Sequence, residues 1–200
     1  MYIIGITGGT GAGKSSAVNV LKALGASALD CDAIYHEILL TNTDMKMEIE
    51  SQFTGVSIGS EISREKLSEI VWTHPGSLSK LNEITHKYMD IEIDKCINTL
   101  RQKKIKVAVI DAIALIESGQ NKRCNITVGI VAPKEKRLLR IVQRDNITEE
   151  NALKRINAQQ PESFYYEKCD HIIVNSFRTE SVFEAKCRDY FEELLSENIS

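Results

Sequence analysis

No stretch of the chain approaches the roughly 18 consecutive apolar residues that a membrane-spanning helix needs. A basic excess is missing too: 25 Lys and Arg stand against 28 Asp and Glu, for a formal net charge of −3. Without a basic stripe or a high pI, nucleic acid is not an expected partner. There is no C-x-x-C pair, and the five cysteines (Cys31, Cys96, Cys124, Cys169, Cys187) are scattered and odd in number. That argues against both a disulfide framework and a zinc site, and predicts reduced, mostly buried thiols. Nothing resembling a signal peptide precedes the first apolar run, so a cytoplasmic protein with no membrane partner is expected. Repeats, low-complexity tracts and linker-like stretches are also lacking. With 42% apolar residues in 200, what remains is one sizeable core, in one domain or in one domain carrying inserted lobes.

What is present begins at once. Tyr2-Ile3-Ile4-Gly5-Ile6 leads into Thr7-Gly8-Gly9-Thr10-Gly11-Ala12-Gly13-Lys14-Ser15, which satisfies G-x-x-x-x-G-K-[ST] from Gly8 to Ser15. Triphosphate oxygens have to be met by successive backbone N–H groups, and only residues with small side chains let the main chain come that close. Lys14 would reach the β- and γ-phosphates, and the Ser15 hydroxyl would ligate Mg²⁺. The helix beginning near Gly13 would turn its positive end toward the anion. A strand before the loop and a helix after it (Ala17, Val18, Leu21, Leu24) complete the context of a P-loop.

Along the chain, Ala26 to Leu29 reads as a short second strand ending at Asp30-Cys31-Asp32, the edge where open α/β sheets place their chemistry. One or both acids could equally cap the helix expected near Ala33. From Ile34 to Leu100 the pattern is helical, broken by a loop at Gly55 to Ser60 and by His74-Pro75-Gly76. That block is longer than a crossover requires and leaves room for a substrate lobe. Ile105 to Ile110, closed by Asp111, is a third strand buried on both faces. An acid there assists Mg²⁺ in P-loop proteins or caps the next turn. Ile126 to Ala132 is the fourth strand, and Pro133 starts a helix with Leu138, Ile141 and Val142 on one side and Arg137, Arg140 and Arg144 on the other. Those arginines form a solvated face or a lid that closes over phosphates, with Arg155 joining from the next helix, Glu149 to Gln159. His171 to Val174, followed by Asn175, is the last strand before an amphipathic C-terminal helix. Together these elements predict an α/β, three-layer P-loop NTPase fold with a five-stranded parallel sheet, an inserted helical substrate lobe and a helical lid. The expected boundaries are core 1–31, 104–133 and 169–200, substrate lobe about 32–103 and lid about 134–168.

The ordered set of motifs resembles the dephospho-coenzyme A kinase family over some 175 residues. It comprises T-G-G-T-G-A-G-K-S, D-C-D-A-I from Asp30, L-N-E-I-T-H ending at His86, D-A-I-A-L-I-E from Asp111, V-A-P-K-E-K-R-L-L-R-I-V-Q-R-D ending at Asp145, R-I-N-A-Q ending at Gln159, and C-D-H-I-I-V-N ending at Asn175. The resemblance implies phosphorylation of the ribose 3′-hydroxyl of dephospho-coenzyme A by ATP with Mg²⁺. It implies Asp32 as the base, with Lys14 and Arg140 stabilising the moving phosphoryl group. Gly9, Thr10, Gly11, Ala12, Gly13, Lys14, Ser15, Ser16, Arg144 and Asn175 would hold the nucleotide; Asp32, His86 and Arg155 the acceptor; Ser15 and Asp111 the metal. The partners would be these small molecules alone, for a monomer or weak homo-oligomer. Lys87 and Ile113 stand where the family usually has proline, and Cys31 and Cys169 where it usually has alanine.

Two other kinds of protein remain to be weighed. Another small-molecule or nucleoside-monophosphate P-loop kinase would share the loop, but not the D-x-D after strand two together with the long helical block. A GTP-binding switch would carry N-K-x-D and a D-x-x-G after the third strand, whereas Asp111 is followed by Ala112, Ile113 and Ala114.

Overall fold

Short, mostly apolar runs make the strands, rich in Val and Ile in all but the small-residue Ser27–Asp30. Tyr2–Thr7 (β1), Ser27–Asp30 (β2), Val107–Asp111 (β5), Ile126–Val131 (β6) and His171–Val174 (β7) form a parallel sheet in the order β2-β5-β1-β6-β7, in a computed structural model that describes residues 1–59 and 61–199. β1 is central, with Ile4 opposite Val109 on one side and Ile126 on the other. Its buried side chains alternate between the two faces. Ile4 and Ile6 join Val18 and Leu21 of α1 (Lys14–Ala23) and Phe183, Cys187, Phe191 and Leu194 of α9 (Glu180–Asn198) in one core. On the other face a Cβ on Gly5 would lie 2.7 Å from both Leu115 and Cys124, so that layer closes directly on the strand. Phe191 is fully buried in the first core, and Phe191→Ala is expected to cost about 3–5 kcal/mol of stability in urea unfolding.

The chain divides into two compact units, 1–29 with 100–200, and 30–99. The second holds Cys31–Thr41 (α2), Thr43–Gln52 (α3), the paired strands Ser57–Ile58 (β3) and Glu61–Ile62 (β4), Arg64–Thr73 (α4) and most of Ser77–Gln102 (α5). The expected loop at Gly55 to Ser60 is therefore partly a hairpin, with Ser60 itself outside the described residues. Glu50 makes it: its carboxylate accepts from the Gly55 and Ser57 amides and from the Ser57 hydroxyl, pinning a turn too short to show periodicity. Nothing interrupts α5 at Lys87. The Lys87 ammonium meets Glu48 of α3 at 2.7 Å and the Tyr88 hydroxyl donates to the same oxygen, so this residue ties two helices where a proline would remove a backbone donor.

Three further boundaries move for local reasons. β5 starts at Val107 rather than Ile105, because Lys104 takes a left-handed φ of 57° and the Ile105 amide turns back to Leu100 O, closing the end of α5. Pro133 is the N-cap, not the first residue, of Lys134–Asp145 (α6), and its carbonyl accepts from Arg137 N. The next helix, Glu149–Asn157 (α7), stops two residues before Gln159, and Glu162–Lys168 (α8), which has no sequence periodicity of its own, follows Pro161. α6 and α7 pack through Ile141, Ala152 and Ile156. Cys124 and Cys187 are pushed up to about 12 and Cys169 to about 11 by burial, so these thiols are held protonated. No helix among the described residues is long and apolar enough to cross a membrane.

Candidate active site

β1 is flanked on both sides, and its carboxyl end is where the strand order changes direction, the position at which open α/β sheets bind ligands. The glycine-rich loop leaves the strand there. Gly8 has φ 147°, and a Cβ on it would lie 2.2 Å from the Ile130 carbonyl oxygen, so only glycine lets the loop rise beside β6. At the other end Gly13 caps α1, whose first N–H groups have no intrahelical acceptor and face the loop's mouth.

Lys14 forms an ion pair with Asp111, the acid at the end of the neighbouring strand β5, and both side chains are largely buried. The Ser15 side chain is exposed, and its hydroxyl makes no hydrogen bond among the described residues. A hydroxyl and a carboxylate beside the start of α1 are hard oxygen donors of the kind Mg²⁺ takes alongside nucleotide phosphates. The donor set fits that ion. Ser16 is otherwise engaged: its hydroxyl donates to Glu180 of α9 at 2.6 Å.

The outer side of the loop is held by α6 and by the end of β7. Arg140 donates to the Gly11 carbonyl at 3.0 Å and to Asn175 Oδ1 at 3.1 Å, while Asn175 Nδ2 donates to the Ala12 carbonyl at 2.8 Å. Arg137 donates to the Thr10 carbonyl at 2.9 Å. Burial holds both guanidiniums below their usual pKa. So Arg140 and Asn175 are brought to the loop, on its carbonyl side. Arg144 and Arg155 are brought to each other: Arg144 grips both oxygens of Asp145, and Arg155 donates to Asp145 Oδ2 at 2.6 Å. That acid is held below the usual carboxylate range, chiefly by the Arg144 hydrogen bond.

In the second unit the structure separates two acids that the sequence leaves equivalent. Asp30 is the N-cap of α2 and accepts from the Ala33 amide at 3.0 Å. Asp32 lies one residue inside the helix, exposed, with no hydrogen bond among the described residues. His86 is half-buried on α5.

Three residues at these sites carried no expected role, and a fourth carried a different one. Gln159 and Asp145 stood in the sequence only as the last letters of motifs and Glu180 drew no reading, while Arg137 was expected on a solvated face or a lid rather than against the loop. Their partners lie between 1 and 164 positions away. Only the i, i+3 relation of Arg137 to Arg140, which puts both on one helix face, offered a signal.

Known proteins match this chain over nearly its whole length. A model of the family described as dephospho-CoA kinase matches residues 2–181. A dephospho-CoA kinase of Dehalococcoides mccartyi is 34% identical over 184 residues, 91% of this chain and 92% of that protein. Among solved structures, a Thermus thermophilus protein superposes with a TM-score of 0.80 at 26% identity, covering 100% of this chain and 98% of its own. A dephospho-CoA kinase from Campylobacter jejuni superposes with a TM-score of 0.72 at 26% identity, with 98% of each chain covered. With the loop, its lysine–aspartate pair and the whole parallel sheet falling inside the matched span, the chain belongs to the dephospho-CoA kinase family.

Proposed function

We propose that the activity of this family, ATP-dependent phosphorylation of the ribose 3′-hydroxyl of dephospho-coenzyme A to coenzyme A, is carried out here with the loop as the ATP site and Asp32 as the base. Residues 9–16 and the N-terminus of α1 hold the triphosphate. Lys14 exchanges Asp111 for the β- and γ-phosphates, which leaves the carboxylate to join the Ser15 hydroxyl. Mg²⁺ bound by those two oxygens would supply charge neutralisation of the phosphates. Asp32 takes the proton of the 3′-hydroxyl. The oxygen forms its bond to the γ-phosphorus as the bond to the β,γ-bridging oxygen breaks, and ADP leaves with that electron pair. Arg140 offsets charge on the transferring group, Arg144 and Asn175 serve the nucleotide, and His86 and Arg155 the acceptor. Phosphoryl transfer asks little more than such positioning and charge neutralisation.

The observation that carries this reading is the family match across residues 2–181. It goes with residues 134–168 acting as a lid, residues 32–103 as the acceptor lobe, and a cytoplasmic monomer or weak homo-oligomer. A coupled ADP-release assay tests it, with dephospho-coenzyme A set against a panel of nucleoside monophosphates and sugar acids. Turnover should appear with dephospho-coenzyme A and require Mg²⁺. Activity on a panel member with none on dephospho-coenzyme A would remove the proposal.

A further inference from the structure

Arg137 is only 8% exposed, yet every hydrogen bond it makes is to a neutral acceptor. Nε donates to the Thr10 carbonyl at 2.9 Å and Nη2 to Gln159 Oε1 at 2.8 Å. No carboxylate among the described residues pairs with it; the acidic groups it feels, at longer range, are the Tyr165 hydroxyl and Glu162. Gln159 completes a clamp. Its Oε1 also accepts from the Thr10 amide at 2.9 Å and its Nε2 donates to Thr10 Oγ1 at 2.6 Å, which fixes the amide's orientation and engages all three polar groups of Thr10. The guanidinium lies against the loop itself, since a Cβ on Gly9 would come within 2.3 Å of Nη2.

A buried cation with no carboxylate paired to it is costly, and a brace for Thr10 could be built from neutral groups. The missing counter-charge has a natural source in the phosphates on the other side of the loop. The Thr10 carbonyl and the Gly11 N–H are opposite ends of one planar trans peptide. A cation on the carbonyl polarises that peptide and makes its N–H a stronger donor toward an anion.

We propose that Arg137 is a positioning residue for ATP, kept without a carboxylate partner so that its charge acts through the Thr10–Gly11 peptide on the nucleotide phosphates, with Gln159 holding both in register. The proposal rests on the loop being the ATP site. It extends that reading to a residue that touches no substrate.

Gln159→Glu separates charge from bracing. A carboxylate there still accepts from Arg137 and from the Thr10 amide, and the Thr10 hydroxyl can turn to donate to it, so the contacts survive while the charge is neutralised. Arg137 acting by charge predicts that the KM for ATP rises about tenfold while the melting temperature holds or rises, a pairing of effects that bracing alone does not produce. The KM for dephospho-coenzyme A should stay within about twofold, because the change reaches only the nucleotide. A folded Gln159→Glu enzyme with an unchanged KM for ATP would overturn the proposal. Should that variant not fold, Arg137→Lys and Arg137→Met decide. Lys keeps the charge but not the two-point grip, so it should lie nearer wild type in KM for ATP than Met, and equal impairment would overturn the inference. Lys14→Met is the control for the underlying reading: if it leaves ATP binding untouched, the loop is not the ATP site.

Discussion

Replacing Asp32 with Ala should lower turnover by about two to four orders of magnitude, the range a positioned general base contributes, while leaving ATP binding in place. The expectation comes from what the two acids of the D-C-D stretch are already doing. Asp30 is committed, its side chain bonded to the Ala33 amide, so Asp30→Ala should cost about 1 kcal/mol of stability, as loss of an N-cap does, and little activity. Asp32 is exposed in the first turn of the same helix, where negative charge complements the helix dipole and no group among the described residues claims the carboxylate. Asp32→Asn is the closer test, since it keeps the shape and removes only the ability to accept the hydroxyl proton. The measurements are ADP release at saturating substrates and calorimetric titration with ATP. Turnover of Asp32→Ala within a few-fold of wild type, or a larger loss in Asp30→Ala, would move the base elsewhere.

That pair of acids also shows what sequence can and cannot carry. A P-loop is readable because its chemistry is local: eight consecutive residues build the cradle, and the strand and helix beside it have their own periodicities. The sheet is readable for a similar reason, since parallel strands buried on both faces read as near-continuous apolar runs such as Val107 to Ile110. Asp30 and Asp32 are both good caps, and only the observed bond to Ala33 assigns the job. The clamp on Thr10 is further out of reach, because it joins residues 10, 137 and 159 and depends on α7 ending at Asn157, which lets Gln159 turn to the loop. Likewise Lys87 reads as a lost proline until Glu48, 39 positions away, is found beside it. Element boundaries slipped wherever a single interaction ended the element, as the Lys104 turn does before β5.

Lys14→Met should lower kcat by about two to three orders of magnitude, the scale of removing one preorganised donor from a site of developing charge. The structure adds a second expectation. Lys14 and Asp111 are paired with side chains only 14% and 12% exposed, so Met at position 14 leaves the Asp111 carboxylate without its lysine in a poorly solvated place. Breaking one side of a buried pair costs more than the pair contributes; with this much residual exposure the loss should be about 2 kcal/mol. Low activity in Lys14→Met could then arise from lost phosphate stabilisation or from a disturbed β5 edge. The double variant Lys14→Met with Asp111→Asn separates the two, because it removes the carboxylate's charge along with the lysine that faces it. Urea unfolding should show most of the stability returning in the double variant, and ADP release should show no recovery of kcat. Recovery of both together would mean that Lys14 matters for holding Asp111 rather than for the transferring phosphoryl group, and the loop would keep its phosphate cradle while losing its assigned cation.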